Sequence, residues 1–339
     1  MWPPAPMEMR STDKIPDGPG WQYEPKWDGF RCIAHRDGGD VTLTSKAGQP
    51  LARYFPEVVE ALRALGPQRF VLDGELVVPL AGALSFDALQ QRIHPAASRV
   101  AMLAKSTPAL FLAFDLLHLE RHGYLDEPLE VRRPQLESFA AHFPAGGLLR
   151  LSPATTTRET VDRWFDQVGG ALDGVVAKKL GVPYASGRRD AAVKIKKMRT
   201  ADCVIGGFRY AKDSRTRLGS LLLGLFDQDG LLDYIGFCSA FSNPQREALI
   251  AKLTRDIGEP GFTGGAPDSA PSRWSRGEDR DRSYVKLRGS FVLEVEFDQV
   301  TSGRIRHGTR PLRWRSDKPA TSCTIDQLDT PGAISALLS

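Results

Sequence analysis

Eight consecutive residues, Glu24-Pro25-Lys26-Trp27-Asp28-Gly29-Phe30-Arg31, hold a lysine, two carboxylates, a glycine and an arginine. Lys26 reads as a nucleophile. An ammonium with a reference pKa of about 10.4 cannot attack while protonated, so a reactive lysine needs burial or cationic neighbours to lower that value; Arg31 is one such neighbour. Asp28 and Glu24 offer acceptors for a sugar hydroxyl or a base amine of a bound nucleotide, and Gly29 permits close backbone approach. The same string also suits a surface turn after a short strand, since Pro, Asp and Gly are ordinary turn residues. Downstream segments complete a site. Glu75 and Asp173, each beside a glycine and apolar strand residues, are acids suited to Mg²⁺, which prefers carboxylates plus phosphate oxygens. Lys194 and Lys196 face the same phosphates in this reading, and Phe114 offers a ring for a base face or, equally simply, for core packing. Together these are the parts of a nucleotidyl transfer.

The elements that must position them follow from periodicity. Val41 to Thr44 alternates as a strand and Tyr54 to Leu65 has helical spacing. Phe70 to Val78 forms one strand through Asp73-Gly74-Glu75. Ser85 caps a helix running to about Ile93, and Phe111 to Leu119 is an apolar strand. Helices are expected at about Val131 to Phe143 and Thr157 to Val168, then strands at Leu172 to Lys178 and Val193 to Lys196, the last with its lysines on one face. From Ala201 the β-signals crowd together: Val204 to Tyr210, Leu221 to Phe226, Leu231 to Phe237 and Phe291 to Phe297, with one helix after Ser242-Asn243-Pro244. This pattern suggests a small barrel of the OB type. Pro260 to Pro271 is expected to be a loop inside it.

With 339 residues, 41% hydrophobic and 25% charged, the chain is of ordinary soluble composition and long enough for two domains. No stretch has the apolar core of a signal peptide or the length of a transmembrane helix. Cys32, Cys203, Cys238 and Cys323 are scattered singly, without a C-x-x-C pair, which argues against a zinc site or a disulfide framework and fits a reducing cytoplasm. Lys178, Lys179, Arg188, Arg189, Lys194, Lys196, Lys197 and Arg199 crowd a stretch whose only acid is Asp190, a candidate phosphate-facing surface. His118 and His122 read as part of a solvated turn, and Arg273 to Arg288, mixed with acids, as an exposed loop.

The ordered series K-W-D-G-F-R, S-K-A-G, L-D-G-E-L, F-L-A-F-D, D-G-V-V-A-K, V-K-I-K-K and R-W-R-S-D-K resembles the ATP-dependent DNA ligases over nearly the whole chain. Tyr54-Phe55-Pro56-Glu57, Arg92 to Arg99, Pro271-Ser272-Arg273-Trp274 and Ser322 to Leu328 are most similar to the small bacterial ligase C type. The resemblance implies an α+β nucleotidyltransferase (adenylation) domain with mixed and antiparallel sheets over 1–200 and an all-β OB-fold barrel domain over 201–339. It implies ATP and Mg²⁺ as cofactors, with Mn²⁺ able to substitute, and nicked duplex DNA as the partner of a cytoplasmic monomer, with or without other repair proteins. Lys26 would carry a covalent AMP. Glu24 would bind the adenine amine, Phe114 would stack on the base, and Asp28 and Arg31 would lie near the ribose and phosphates. Lys46, Arg188, Lys194 and Lys196 would hold phosphates, Glu75 and Asp173 would serve the metal, and Arg315, Asp317 and Lys318 would orient the pyrophosphate.

Two departures stand out. Asp173 replaces the superfamily's common glutamate, one methylene shorter, and Lys46 replaces a common arginine, losing bidentate phosphate recognition. An mRNA-capping guanylyltransferase shares the lysine chemistry, an NAD-dependent ligase would need further domains, and a non-catalytic DNA-binding protein would have no use for Lys26, Glu75 and Lys194.

Overall fold

The computed structural model describes residues 4–168, 172–212, 214–267, 283–329, 334 and 337, with 166–168 as backbone only. The chain divides into two units, Met1–Lys197 with Thr330–Ser339, and Met198–Asp329. Pro271-Ser272-Arg273-Trp274 and most of the Arg273 to Arg288 stretch lie outside the described residues.

The first unit opens with β1 (Arg10–Ser11), β2 (Trp21–Pro25), β3 (Phe30–Asp37) and β4 (Asp40–Ser45). Helix α1 (Pro56–Arg63) begins with Pro56, whose missing N–H costs nothing in a first turn, and turns Val58, Val59 and Leu62 inward. After β5 (Arg69–Val77) come the short β6 (Pro79–Leu80) and β7 (Ala83–Leu84). Ser85 caps α2 (Phe86–Gln91) by accepting from the Ala88 amide at 3.2 Å. Helix α3 (Ala97–Ser106) escaped the periodicity reading because Val100 is its only buried residue; its alanines and long side chains favour helix by propensity alone. The unit continues through β8 (Leu110–Leu119), β9 (His122–Gly123), α4 (Leu129–Ala140), β10 (Leu149–Leu151), α5 (Arg158–Val168), β11 (Gly174–Lys179) and β12 (Ala192–Lys196).

Two sheets result. One has the order β1-β12-β11-β2, and the other β10-β8-β5-β3-β4 with β9 beside β8. They are mixed: β1 runs parallel to β12 and β10 parallel to β8, while the other pairs are antiparallel. Alternation along β5 sends Phe70, Leu72 and Leu76 into the large core with α1 and α4. Its other face carries Val71, Asp73, Glu75 and Val77, with Val71 in an apolar cluster that includes Tyr184 and Val77 in one that includes Tyr23 and Val175 of the first sheet. A bulge shapes β8 at this level. Asp73 opposes Asp115 and Gly74 opposes Ala113, so Phe114 is the extra residue whose side chain is re-aimed.

The second unit is predominantly β: β13 (Arg199–Tyr210), β14 (Leu218–Phe226), β15 (Leu232–Cys238), β16 (Val285–Lys286), β17 (Val292–Phe297), β18 (Val300–Thr301), β19 (Arg304–Ile305) and β20 (Arg310–Trp314). Its helix α6 (Asn243–Leu253) starts at the expected Ser242-Asn243-Pro244 with a capping box between Ser242 and Gln245. The sheet order is β15-β14-β13-β17-β20, with β16 beside β13. Among the described residues no full ladder joins its two ends; a single bridge between Cys238 and Thr309 links them, which is the partly open form of a five-stranded OB barrel. The described end of the Arg273 to Arg288 stretch is not the exposed loop expected: Val285 and Lys286 form β16, and Leu287 is fully buried.

Candidate active site

The glycines beside the key residues are there for proximity. A Cβ on Gly29 would stand 2.2 Å from the Leu76 carbonyl oxygen and 2.8 Å from Glu75 Cγ, and one on Gly174 would stand 2.0 Å from the Ile195 carbonyl oxygen. Only hydrogen fits at either place, so the Lys26 segment lies against β5 and the Asp173 segment against β12.

These approaches build a cleft of about 180 Å³ whose walls include Glu24, Lys26, Arg31, Lys46, Glu75, Phe114, Lys178 and Lys194. Lys26 caps the end of β2, where its amide donates to the Gly174 carbonyl at 2.9 Å. Its Nζ is paired with Asp173 Oδ2, while Asp173 Oδ1 is buried with no hydrogen-bond partner among the described residues. Arg31, expected as a cationic neighbour of Lys26, has an acidic partner of its own. Its guanidinium is claimed by Asp73 through two hydrogen bonds of 2.5 and 2.6 Å and lies 4.4 Å from the Phe114 ring centroid. Lys194 is the cation that feels Lys26: burial first, then Lys26, Lys196 and Lys46, hold its ammonium below the ordinary lysine range. Burial pushes Glu75 up to about 7 against the pull of Arg31 and Lys26, with Asp28 among the neighbours that raise it.

The back of the cleft is a buried charge network. Lys178, 4% exposed at its side chain, reaches Glu24 at 2.8 Å and Asp115 at 3.9 Å, and lies 4.7 Å from the Phe114 centroid. Gln22 donates to the other Glu24 oxygen at 2.8 Å. Arg132 grips Asp115 at 2.8 and 3.0 Å; burial alone would raise the Asp115 carboxyl, and Arg132 and then Lys178 hold it below its ordinary value.

Two predicted residues of this unit lie elsewhere, and a third, Asp28, stands beside Glu75. Lys196 lines a separate hollow of about 660 Å³ with Asp13, Lys14, Arg158, Phe165 and Lys197, because successive same-face residues of a strand are about 7 Å apart. Arg188 is exposed beside Asp190 at 3.6 Å. Asp28 is half-buried in the turn between β2 and β3. In the second unit, Arg315 binds both Asp202 oxygens at 3.0 and 2.9 Å and also Asp317, whose carboxyl its guanidinium pulls down to about 2; Lys318 joins Asp202 at 2.9 Å. The described residues contain no cluster of three or more His, Cys, Asp or Glu able to hold a metal, and none of their helices is long and apolar enough to cross a membrane.

Comparison with known proteins decides the family. The family described as "ATP dependent DNA ligase domain" matches residues 8–196, and that described as "ATP dependent DNA ligase C terminal region" matches 214–318. The chain belongs to the ATP-dependent DNA ligases. The ligase is similar to DNA ligase C2 of Mycolicibacterium smegmatis, 45% identical over 99% of this chain and 97% of that protein, and to DNA ligase C of Mycobacterium tuberculosis, 43% identical over 99% and 96%. It is also similar to the multifunctional non-homologous end joining protein LigD of Pseudomonas aeruginosa, at 32% identity over 94% of this chain and 36% of that protein. A solved structure described under "Structure-function analysis of Lig E DNA ligases" shares the fold, with a TM-score of 0.54 at 16% identity over 93% of this chain and all of that one. The units are therefore a nucleotidyltransferase domain and an OB-fold domain.

Sequence reasoning on the ligase put Lys178 on a phosphate-facing surface, whereas it is buried against Glu24; it missed Asp73, Asp202 and Pro6 to Met9, of which Pro6 to Met9 line the cleft. Lys178 had a usable signal, since a lysine ending an apolar strand run needs a buried acid for a partner. Asp202 and Pro6 to Met9 had none.

Proposed function

We propose that this ligase seals 5′-phosphate/3′-hydroxyl nicks in duplex DNA through a lysine-bound AMP carried on Lys26. The observation that carries the reading is Lys26 Nζ on the wall of a cleft that also holds Lys46, Lys194 and Glu75, with Asp173 at its charge. In the first step the Lys26 amine, its proton lost, attacks the α-phosphorus of ATP; an N–P bond forms and the bond to pyrophosphate breaks. AMP then passes to the 5′-phosphate of the nick, and the 3′-hydroxyl displaces it. Lys46 and Lys194 neutralise phosphate charge, and the partly enclosed cleft strengthens each of these interactions. Glu24, fixed by Gln22 and Lys178, presents a carboxylate to the base amine, and Phe114 presents its ring.

The acids fit a divalent cation. Asp173 Oδ1 is a buried acceptor with no hydrogen-bond partner among the described residues, and Glu75 gives up its proton near neutrality. Asp173 and Glu75 would hold Mg²⁺ or Mn²⁺, which would supply neutralisation of phosphate charge. We propose further that the two units act as the two domains of a cytoplasmic monomer and that repair of broken DNA is its setting, in keeping with the name of the LigD relative, a non-homologous end joining protein. Incubating the protein with labelled ATP, GTP or NAD and then with nicked duplex tests the reading. ATP labels far better than the others and the nick is sealed; equal labelling by GTP would favour a capping enzyme.

A further inference from the structure

Residues 4–11 cross one wall of the nucleotide cleft as a strap. Pro6, Met7, Glu8 and Met9 line the cleft, and the strap is tied along the segment that follows Tyr184. Ser186 Oγ donates to the Ala5 carbonyl at 2.8 Å, the Glu8 amide donates to the Arg188 carbonyl at 2.8 Å, and β1 then pairs with Val193 and Lys194. At the centre of this seam lies the buried Tyr184 hydroxyl, with both of its roles in use. It accepts from the Met7 amide at 2.8 Å and donates to Asp73 Oδ2 at 2.5 Å. Asp73 is fully buried and spends its remaining capacity on the two bonds that fix Arg31 against Phe114. The ring of Tyr184 meanwhile lies 5.6 Å from the guanidinium of Arg132, the partner of Asp115 at the back of the cleft.

We infer that Tyr184 is a positioning residue for the nucleotide pocket, joining the N-terminal strap to Asp73 and Arg31 so that ATP affinity depends on the strap. This rests on the proposed reading that the cleft takes ATP for transfer to Lys26. Replacing the hydroxyl strands a buried amide on Met7 and removes one of the bonds that orient Asp73, so the wall and the arginine loosen together. The loss falls on binding, because neither group is a reacting atom.

The test measures adenylylation rate against ATP concentration. Tyr184→Phe raises the KM for ATP about tenfold and leaves kcat within about twofold. Met7→Pro deletes the amide donor while keeping Tyr184, and shifts KM in the same direction; Met7→Ala keeps the amide and shifts it less. Since both changes cut one seam, the double variant loses less than the product of the single effects. Wild-type KM in folded Tyr184→Phe and Met7→Pro proteins would overturn the inference, as would a fall in kcat at constant KM or equal effects of Met7→Pro and Met7→Ala. Failure of the wild-type protein to take label from ATP would instead overturn the reading on which it rests.

Discussion

At the scale of single residues the account turns on carboxylates whose surroundings set their roles. Asp173 holds Lys26 with one oxygen and has a second buried oxygen with no hydrogen-bond partner among the described residues. Asp173→Asn keeps the fold and loses nick sealing by orders of magnitude, whereas Asp173→Glu, the superfamily's commoner residue, retains much of it; sealing rates across a Mg²⁺ titration, with the melting temperature as control, read this out. Near-normal sealing by folded Asp173→Asn would remove its role. Asp115 is the structural counterpart. Arg132 and Lys178 hold its folded pKa below the ordinary 3.8, so its stabilising contribution is present above that value and is lost as pH falls through the lowered one. The gap in melting temperature between wild type and Asp115→Asn is therefore wide at neutral pH and closes below about pH 4. A gap independent of pH would show that packing, not charge, sets the cost.

At the scale of elements, β12 divides work that the sequence assigned to one place. Lys194 faces the nucleotide cleft, and Lys196, two residues on, faces the hollow with Lys14 and Arg158. Lys194→Ala weakens labelling by ATP. Lys196→Ala spares it and lowers the slope of log nick affinity against log salt by about 0.9, the signature of one lost phosphate contact; loss of ATP labelling in Lys196→Ala with an unchanged slope would contradict the division. Such divisions mark where the sequence stops being legible. Glu75 and Asp173 could be picked out because a glycine beside an acid in an apolar run signals close backbone approach, and Gly74 and Gly174 make that approach. The alternation of β5, the Ser85 cap and the helix after Ser242 were likewise written locally. The Arg31–Asp73 pair was not, because it depends on cross-strand register between β3 and β5, nor was the aim of Phe114, which depends on a bulge opposite Asp73 and Gly74. The contribution of Pro6 to Met9 is more distant still, since the strap meets its partners some 180 residues along the chain.

At the scale of the whole molecule, the second unit carries Arg315 and Lys318 on Asp202. Only ATP, and not the lysine-bound AMP, presents a pyrophosphate for such charges, so we propose that their contribution belongs to the first step. Lys318→Ala adenylylates poorly yet seals a nick that has been adenylylated beforehand; equal losses in both assays would refute this division. All of these expectations presuppose the bond at Lys26. The most direct test incubates the protein with ATP and Mg²⁺, digests it, and locates the nucleotide by mass spectrometry, with Lys26→Ala in parallel. The account predicts one AMP on the peptide containing Lys26 and none on the alanine variant. AMP on another residue, or on denatured Lys26→Ala protein, would contradict it.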